Sequence, residues 1–229
     1  MKLAPIAVAA FLAASPLAQA ATVTQNLGPA TLSYDNATAF GSLSTWSSSS
    51  SSYGFEWIVP TSVQVVSNGG PAIVTASFQL PTFTLTANAG QSLNGAFSGF
   101  LGNLSYFELG GATTGILAYA TVSVNGGPGL PLSSGVGFTS TSSGPTFNIG
   151  YFADTATTPN LGNFNSITIS NASIVLSATG GVFSSIAAQP QNKLAFTYQA
   201  AAVPEPETYA LLMAGLGVIG FVARRRKQG

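Results

Sequence analysis

The residues VTASFQLPTFTLTA, at positions 74–87, carry the pattern that decides the fold of this chain. Apolar side chains alternate with polar ones over residues 74–80, and after Pro81 the same alternation continues over residues 82–87. A period of two residues is typical of a β-strand with one buried face, because successive side chains point to opposite faces. Proline has no amide hydrogen to donate to a neighbouring strand. The stretch therefore predicts two short strands that are separated at Pro81.

The same alternation returns along the chain between residues 21 and 202. Apolar residues recur at every second position within 116–124, 147–151, 167–169 and 194–198. Turn-forming Asn, Gly and Pro residues cluster between such segments, and no long helical period interrupts them. Many short strands joined by these turns predict an all-β fold, an antiparallel β-sandwich or jelly roll, over residues 21–202.

Composition narrows the chemistry that this chain can perform. It has no Cys and no His, and only 5% of its residues are charged. Without those side chains a Ser–His or Cys–His nucleophile cannot form, and typical zinc sites and disulfides are excluded. Between residues 21 and 203 there are four acidic residues and one basic residue, a net charge of −3. The lack of a basic patch argues against nucleic acid as a partner.

The four acidic residues of this part are the remaining candidates for acid–base chemistry. They are Asp35, Glu56, Glu108 and Asp154. No two lie close in sequence, although a β-fold can bring two carboxylates together as glycoside hydrolases require. A calcium site built from carbonyl oxygens and one or two of these acids is a further alternative, but no D-x-D loop accompanies them. We expect no enzyme activity, no cofactor and no metal site.

The first twenty residues read as a secretory signal peptide. Lys2 precedes an apolar run over residues 3–14, and the segment ends in Ala18-Gln19-Ala20. A charged start, an apolar centre and an A-x-A ending are typical of a signal that is removed on export. Residues 1–20 are therefore predicted to be cleaved, which leaves Ala21 as the first residue of the exported chain.

The carboxyl-terminal part has the features of a membrane anchor. Residues 209–223, YALLMAGLGVIGFVA, contain no charge. Four basic residues follow them, Arg224, Arg225, Arg226 and Lys227. As a helix the run is about 22 Å long, and flanking Tyr and Arg side chains can extend its reach at both ends. We predict a single transmembrane helix at 209–223, with residues 224–229 as a basic tail on the cytoplasmic side.

A proline-rich motif stands just before this run. It consists of Val203, Pro204, Glu205 and Pro206. Each proline fixes its own φ angle and disfavours a helical conformation in the residue before it, so the motif should be extended. A plain linker beside the membrane is the alternative interpretation, since a proline-rich composition also serves that purpose.

The motif, the apolar run and the basic cluster, in this order at the terminus, resemble the PEP-CTERM sorting signal of Gram-negative bacteria. The resemblance implies that residues 203–229 are recognised by exosortase, an integral-membrane cysteine protease or transpeptidase. It implies removal of the tail at or near the motif, after which the ectodomain, residues 21–202, is released or attached at the cell surface. It also implies an association with exopolysaccharide and biofilm matrices.

These features predict a structural or adhesive role in an extracellular polysaccharide matrix, because uncharged hydroxyl and amide groups can hydrogen-bond to glycans. A specific carbohydrate-binding or adhesin module is one alternative, with glycan contacts at Trp46, Tyr53 and Trp57 around the serine run at 47–52. A polysaccharide-acting enzyme is a second. For Trp57 the alternation with Phe55 favours a position in the core instead, with Trp46 anchoring a loop.

Overall fold

The structure is a computed structural model that describes residues 21–36, 40, 43–131, 137–203 and 206–226. The predicted signal peptide, with Ala18 and Ala20 of its cleavage site, lies outside the described residues. Pro204 and Glu205 of the proline-rich motif and Lys227 of the basic cluster lie outside them as well.

Sixteen strands and one helix make up the described part of the chain. In chain order they are β1 (Thr22–Asn26), β2 (Ala30–Asp35), β3 (Leu43–Ser47), β4 (Ser52–Ile58), β5 (Gln64–Ser67), β6 (Val74–Gln79), β7 (Phe83–Ala87), β8 (Gln91–Leu109), β9 (Thr113–Val124), β10 (Leu130–Pro131), β11 (Gly137–Thr141), β12 (Phe147–Thr157), β13 (Asn163–Phe164), β14 (Ser166–Thr179), β15 (Phe183–Ala188), β16 (Lys193–Ala202) and α1 (Pro206–Arg226).

The strands form two sheets, each with eight strands among the described residues. Sheet 1 has the order β1-β2-β7-β14-β9-β10, with β11 also on β9 and β6 also on β14. Sheet 2 has the order β3-β4-β16-β8-β15-β5, with β12 and β13 on the free edge of β8. The strand pairs are antiparallel, and the buried side chains of both sheets form one core. The predicted all-β antiparallel sandwich is thereby confirmed.

The stretch at 74–87 forms β6 and β7, which pair with the same edge of the long strand β14. The interruption at Pro81 lies opposite a bulge in β14, where Asn171 has a φ of 50°. Leu80 donates its amide hydrogen to the carbonyl of Ala172 at 2.9 Å, which closes the gap between the two short strands. A bulge absorbs one extra residue without losing the ladder on either side, so the proline break predicted from sequence is accommodated by its partner.

Aromatic side chains from both sheets meet in the core. Phe83 of sheet 1 contacts Phe55 and Phe196 of sheet 2, with ring centroids 5.4 and 4.9 Å apart and the rings steeply inclined. Trp57 lies 5.4 Å from Phe55 in an edge-to-face arrangement. Such pairs each contribute about 0.5–1.5 kcal/mol beyond the burial of their area. They fix the two sheets against each other.

None of the described side chains of helix α1 contributes to this core. The buried apolar residues fall between Ala30 and Ala200, whereas the described apolar side chains of α1, such as Leu211 and Met213, are exposed. Among the described residues, no helix is long and apolar enough to cross a membrane. The transmembrane helix predicted at 209–223 is therefore not supported.

Candidate functional surfaces

The proline-rich motif begins where the sandwich ends. Strand β16 ends at Ala202, and the amide of Val203 donates to the carbonyl of Gly90 at 2.9 Å. In the described part of the chain, this is the last main-chain hydrogen bond to the sandwich. The side chain of Val203 is exposed, and α1 begins at Pro206. Arg224 is exposed near the end of α1. The described ends of the motif are thus placed next to a folded domain, on an accessible part of the chain.

Trp46, Tyr53 and Trp57, considered from sequence as glycan contacts, do not share one surface. Strands β3 and β4 form a hairpin in which Trp46 pairs with Gly54, so Trp46 lies on the outer face of sheet 2. Tyr53 and Trp57 alternate with Gly54 and therefore point to the inner face. The placement of Trp57 in the core follows the alternation with Phe55 and removes its ring from any surface site.

Each of the two remaining aromatic residues has a structural contact. The ring of Trp46 covers Gly54, where an added Cβ would lie only 2.3 Å from Cζ2 of the indole. Trp46 thus belongs to a strand and fills the space over a glycine, rather than anchoring a loop. Tyr53 stacks on Tyr198 at 5.7 Å and donates its hydroxyl to the carbonyl of Ser50 at 2.7 Å. Burial, and secondarily Tyr53, raises the pKa of the Tyr198 phenol above its usual range.

Glu108 is a fully buried carboxylate whose four hydrogen bonds join the two sheets. It lies on β8, and its Oε1 accepts from the amide of Thr114 at 3.1 Å and from the Thr114 hydroxyl at 2.7 Å. Its Oε2 accepts from Ser140 Oγ and from Asn148 Nδ2, both at 3.0 Å. Thr114 and Ser140 belong to β9 and β11 of sheet 1, whereas Asn148 belongs to β12 of sheet 2. From sequence, Glu108 was one of four candidate acids, and no local pattern indicated this role.

The other three carboxylates each lie on a different strand from Glu108 and from one another. Asp154 follows Asn148, the partner of Glu108 in the sheet, by six residues, or about 20 Å along a strand. Glu56 lies three strands from the β12 edge, roughly 15 Å away, and accepts from Lys193 Nζ at 2.6 Å. Asp35 lies on sheet 1. In the described part of the chain no three acidic side chains form a group that could hold a metal ion.

The outer side of sheet 1 presents hydroxyl groups in rows. Five strands contribute one row, which consists of Thr24, Ser33, Thr84, Thr168 and Ser123. With strands about 4.8 Å apart, this row is roughly 19 Å long. Two of its neighbouring pairs approach within hydrogen-bond distance, at 3.3 and 2.9 Å. Asp35 is the only charged residue on the described strands of sheet 1.

A shallow groove of about 470 Å³ crosses the other half of this outer side. Gly115 lies on its floor between Ser177 of β14 and Thr139 of β11, which pair with it on either side. Leu117 adds an apolar wall. We call the hydroxyl row and this groove together the hydroxyl face. It combines donors and acceptors of hydrogen bonds with a concave apolar surface.

The outer side of sheet 2 has a different character at the end formed by β5, β15, β8 and β12. Phe107 lies between Phe147, at 6.5 Å with parallel rings, and Phe183, at 5.7 Å. Ile149 pairs with Phe107, and Tyr151 is the next outward residue of β12. We call Phe107, Phe147, Ile149, Tyr151 and Phe183, with Val66 and Val182 beside them, the aromatic patch. The alternation at 147–151 predicted a strand but did not say that these three residues point outward.

Between the sheets the structure has an apolar cavity of about 70 Å³, whose lining includes Phe97, Ala118 and Ile174. A ligand site for a small molecule usually exceeds about 300 Å³. The cavity walls are almost entirely apolar, so a sugar ring would find few hydrogen-bond partners there. The outer surfaces are therefore better candidates for binding than the interior.

Comparison with known proteins identifies the tail. Residues 202–227 match the family model of the PEP-CTERM protein-sorting motif. No curated protein matches the chain in sequence. Two solved structures of infectious bursal disease virus show a remote likeness. The chain is 13% identical to that of the Gx strain (TM-score 0.20, 78% of this chain and 49% of the viral one). It is 12% identical to that of the Gt strain (TM-score 0.17, 74% and 44%). The chain thus spans about half the length of these viral chains, and scores this low do not establish a common fold.

Proposed function

The chain carries a PEP-CTERM protein-sorting motif, and from this we propose that it is an exported protein, recognised by exosortase through its tail and sorted to the cell surface. The motif is the observation that carries the proposal. The position of the motif supports the proposal. The side chain of Val203 is exposed, and the motif directly follows β16. A protease or transpeptidase needs such an accessible segment.

The order of events follows from the positions of the signals. Residues 1–20 direct export and are removed before Ala21, and residues 21–202 fold in the periplasm. The tail holds the chain transiently at the inner membrane, where exosortase acts on it. Exosortase then cuts at or near Pro204-Glu205-Pro206, and the ectodomain remains at the surface or is released outside. Because the core lies between Ala30 and Ala200, this cut leaves the sandwich intact.

For the ectodomain we propose a structural or adhesive role in an extracellular polysaccharide matrix, with the hydroxyl face as the surface that contacts the glycan. Sugars bind proteins through hydrogen bonds to their hydroxyl groups and through apolar contact with their ring faces. The groove offers both, because Ser177 and Thr139 flank Gly115 and Leu117 lies beside them. A nearly uncharged face also suits a neutral polymer, since it carries no strongly hydrated charge to desolvate.

Binding without catalysis is part of the same proposal. A glycosidase places two carboxyl groups about 5–10 Å apart across the scissile bond. Here Glu108 is buried among hydrogen-bond donors, and Glu56 is paired with Lys193. Asp35 and Asp154 lie on different sheets, on β2 and β12.

Intact mass measurement tests the sorting step. Cells with and without exosortase are compared for the cell-associated and the secreted protein. We expect a form that starts at Ala21 and ends near residues 203–206, present only in cells with the enzyme. Replacing Glu205 by Gln should reduce this form, whereas the matched change of Glu207 to Gln should not. A species that retains residues 224–227 in both strains would contradict the proposal.

The glycan contact is tested on residues 21–202 with the extracellular polysaccharide of the producing cells. The pair Ser177→Ala and Thr139→Val should weaken binding by about tenfold, since each lost hydrogen bond contributes about 0.5–1.5 kcal/mol. The matched control is Ser98→Ala with Thr157→Val, a hydroxyl pair 3.1 Å apart on sheet 2. Equal binding by the wild type and both variants would remove the hydroxyl face as the contact surface.

A further inference from the structure

We propose that the aromatic patch is a contact between copies of this chain, in which a second copy docks with its own patch. The patch is formed by outward side chains of neighbouring strands in register. Phe183, Leu109 and Phe147 form one row, and Val66, Ser185, Phe107 and Ile149 form the next. A surface that meets an identical surface gives a closed two-fold dimer, the commonest arrangement of soluble oligomers.

The exposed apolar area is large enough for such a contact. Phe147 is 67% exposed, Ile149 58%, Tyr151 74%, Val182 63% and Val66 42%. With about 200 Å² for an aromatic side chain and somewhat less for an aliphatic one, these five present on the order of 500 Å². The largest apolar patch of a typical monomer covers about 300–600 Å². A standard interface buries about 800 Å² on each partner, of which about 56–65% is apolar, so the patch supplies the apolar area of one such interface.

The chemistry of the patch favours a protein partner with the same properties. No charged residue lies on its rows, so it provides no attraction for a nucleic acid or an anionic membrane. Ser185 supplies the one hydroxyl side chain in the two rows named above. A glycan laid on these rows would lose water from its hydroxyl groups without gaining partners. A second patch, in contrast, removes apolar area from water on both sides.

The position of β12 confines the contact to one end of the sheet. Beyond its pairing with β8, β12 has no further strand partner in the described part of the chain. Residues 147–152 form a regular edge, but a bulge after Phe152 and the charge of Asp154 interrupt it. Bulges and charges on an edge strand oppose pairing with another chain. The copies therefore meet on the patch, and the rest of the β12 edge is protected.

Sedimentation equilibrium of residues 21–202 tests the proposal, since these residues contain the whole core. We expect a concentration-dependent dimer at micromolar protein. The triple variant Phe147→Thr, Ile149→Thr and Tyr151→Thr should weaken dimerisation by at least about tenfold. The matched control is Tyr119→Thr with Leu130→Thr, apolar residues that are 46% and 66% exposed on sheet 1. This control should dimerise as the wild type does.

Three outcomes would overturn the proposal. The first is a wild type that stays monomeric up to about 100 μM. If the patch variants of such a monomer lost glycan binding, the patch would be a glycan contact instead. The second is equal weakening by both sets of substitutions. The third is dimerisation of residues 21–202 together with a monomeric chain of residues 21–229, which would show that the tail covers the patch. If the triple variant fails to fold, Tyr151→Ser alone, at the most exposed position of the patch, provides the same comparison.

Discussion

Removal of the Glu108 side chain is expected to be among the most destabilising single changes in the sandwich. The carboxylate is fully buried and accepts four hydrogen bonds from Thr114, Ser140 and Asn148, and these bonds connect β8 and β12 with β9 and β11. Glu108→Ala leaves all four donors without this acceptor, and the two donors of Thr114 are fully buried. Each buried donor left without a partner costs about 1–3 kcal/mol.

The separate costs do not add, because some donors can turn to other acceptors. The hydroxyls of Thr114 and Ser140 can rotate, whereas the amide N–H of Thr114 is fixed. Ser140 Oγ already lies 2.9 Å from Asn148 Nδ2. We therefore expect Glu108→Ala to lower the free energy of unfolding by about 2–4 kcal/mol, since the fixed Thr114 amide alone costs about 1–3 kcal/mol and the other donors add smaller losses. This is a large part of the roughly 5–15 kcal/mol that stabilises a typical domain.

Glu108→Gln should cost less, about 1–2 kcal/mol. The new amide group can face Ser140, whose hydroxyl can accept, and the Asn148 amide can turn its oxygen toward it. The change removes the negative charge but keeps the shape of the side chain. The expected order of stability is therefore wild type, then Glu108→Gln, then Glu108→Ala.

Urea unfolding of residues 21–202, followed by circular dichroism, measures these differences. Glu56→Ala is the matched control, since Glu56 lies on the outer side of the same sheet and pairs with the half-exposed Lys193. A surface ion pair contributes about 0–1 kcal/mol. If Glu108→Ala were no more destabilising than Glu56→Ala, the inference that Glu108 joins the sheets would be refuted.

Three further predictions concern single positions in the sandwich. Tyr198→Phe should stabilise by about 1 kcal/mol, because the buried hydroxyl has no protein partner. The wild type should lose stability above pH 10, because burial raises the pKa of the folded phenol and only the unfolded chain ionises there. This loss is up to about 1.4 kcal/mol per pH unit, and Tyr198→Phe should remove it. Unfolding curves of the two proteins at alkaline pH check both points. Gly54→Ala should destabilise by about 1–3 kcal/mol, because its Cβ would lie 2.3 Å from Trp46 and 2.9 Å from the Phe196 carbonyl; an unchanged cost in a Trp46→Ala background would speak against the ring contact. Asn171→Ala should cost about 1–2 kcal/mol and Asn171→Gly much less, because φ is 50° at the bulge; equal melting temperatures of these two variants would contradict this reasoning.

Much of the fold could be predicted from sequence because every second residue of a strand points to the same face of the sheet. The segments at 74–80 and 82–87 formed β6 and β7, and Pro81 marked the break between them. The sequence did not predict that both strands pair with β14, about eighty or more residues later in the chain. Partner choice depends on long-range packing, which leaves no local pattern.

The candidate surfaces could be predicted from sequence much less well than the strands. The alternation at 147–151 gives a period, but a period does not say which side is buried. The inward residues of β12 are Asn148, Gly150 and Phe152, which are less apolar than the outward ones. Asn148 can face inward because it hydrogen-bonds to the buried Glu108. Hydrophobicity alone would have favoured the opposite orientation. The orientation of β12 agrees with the hydrogen bond between Asn148 and Glu108, and hydrophobicity alone does not explain it.

The sequence by itself determined that this protein carries a PEP-CTERM sorting motif. The matched motif, residues 202–227, is one continuous segment, so finding it requires no contact between residues distant in sequence. Tertiary structure decided everything that depends on residues distant in sequence: the joining of two sheets through Glu108, the groove between β14, β9 and β11, and the outward position of Tyr151. The physical reason is that a linear signal needs only its own residues, whereas a surface needs strands whose neighbours are fixed by the whole core.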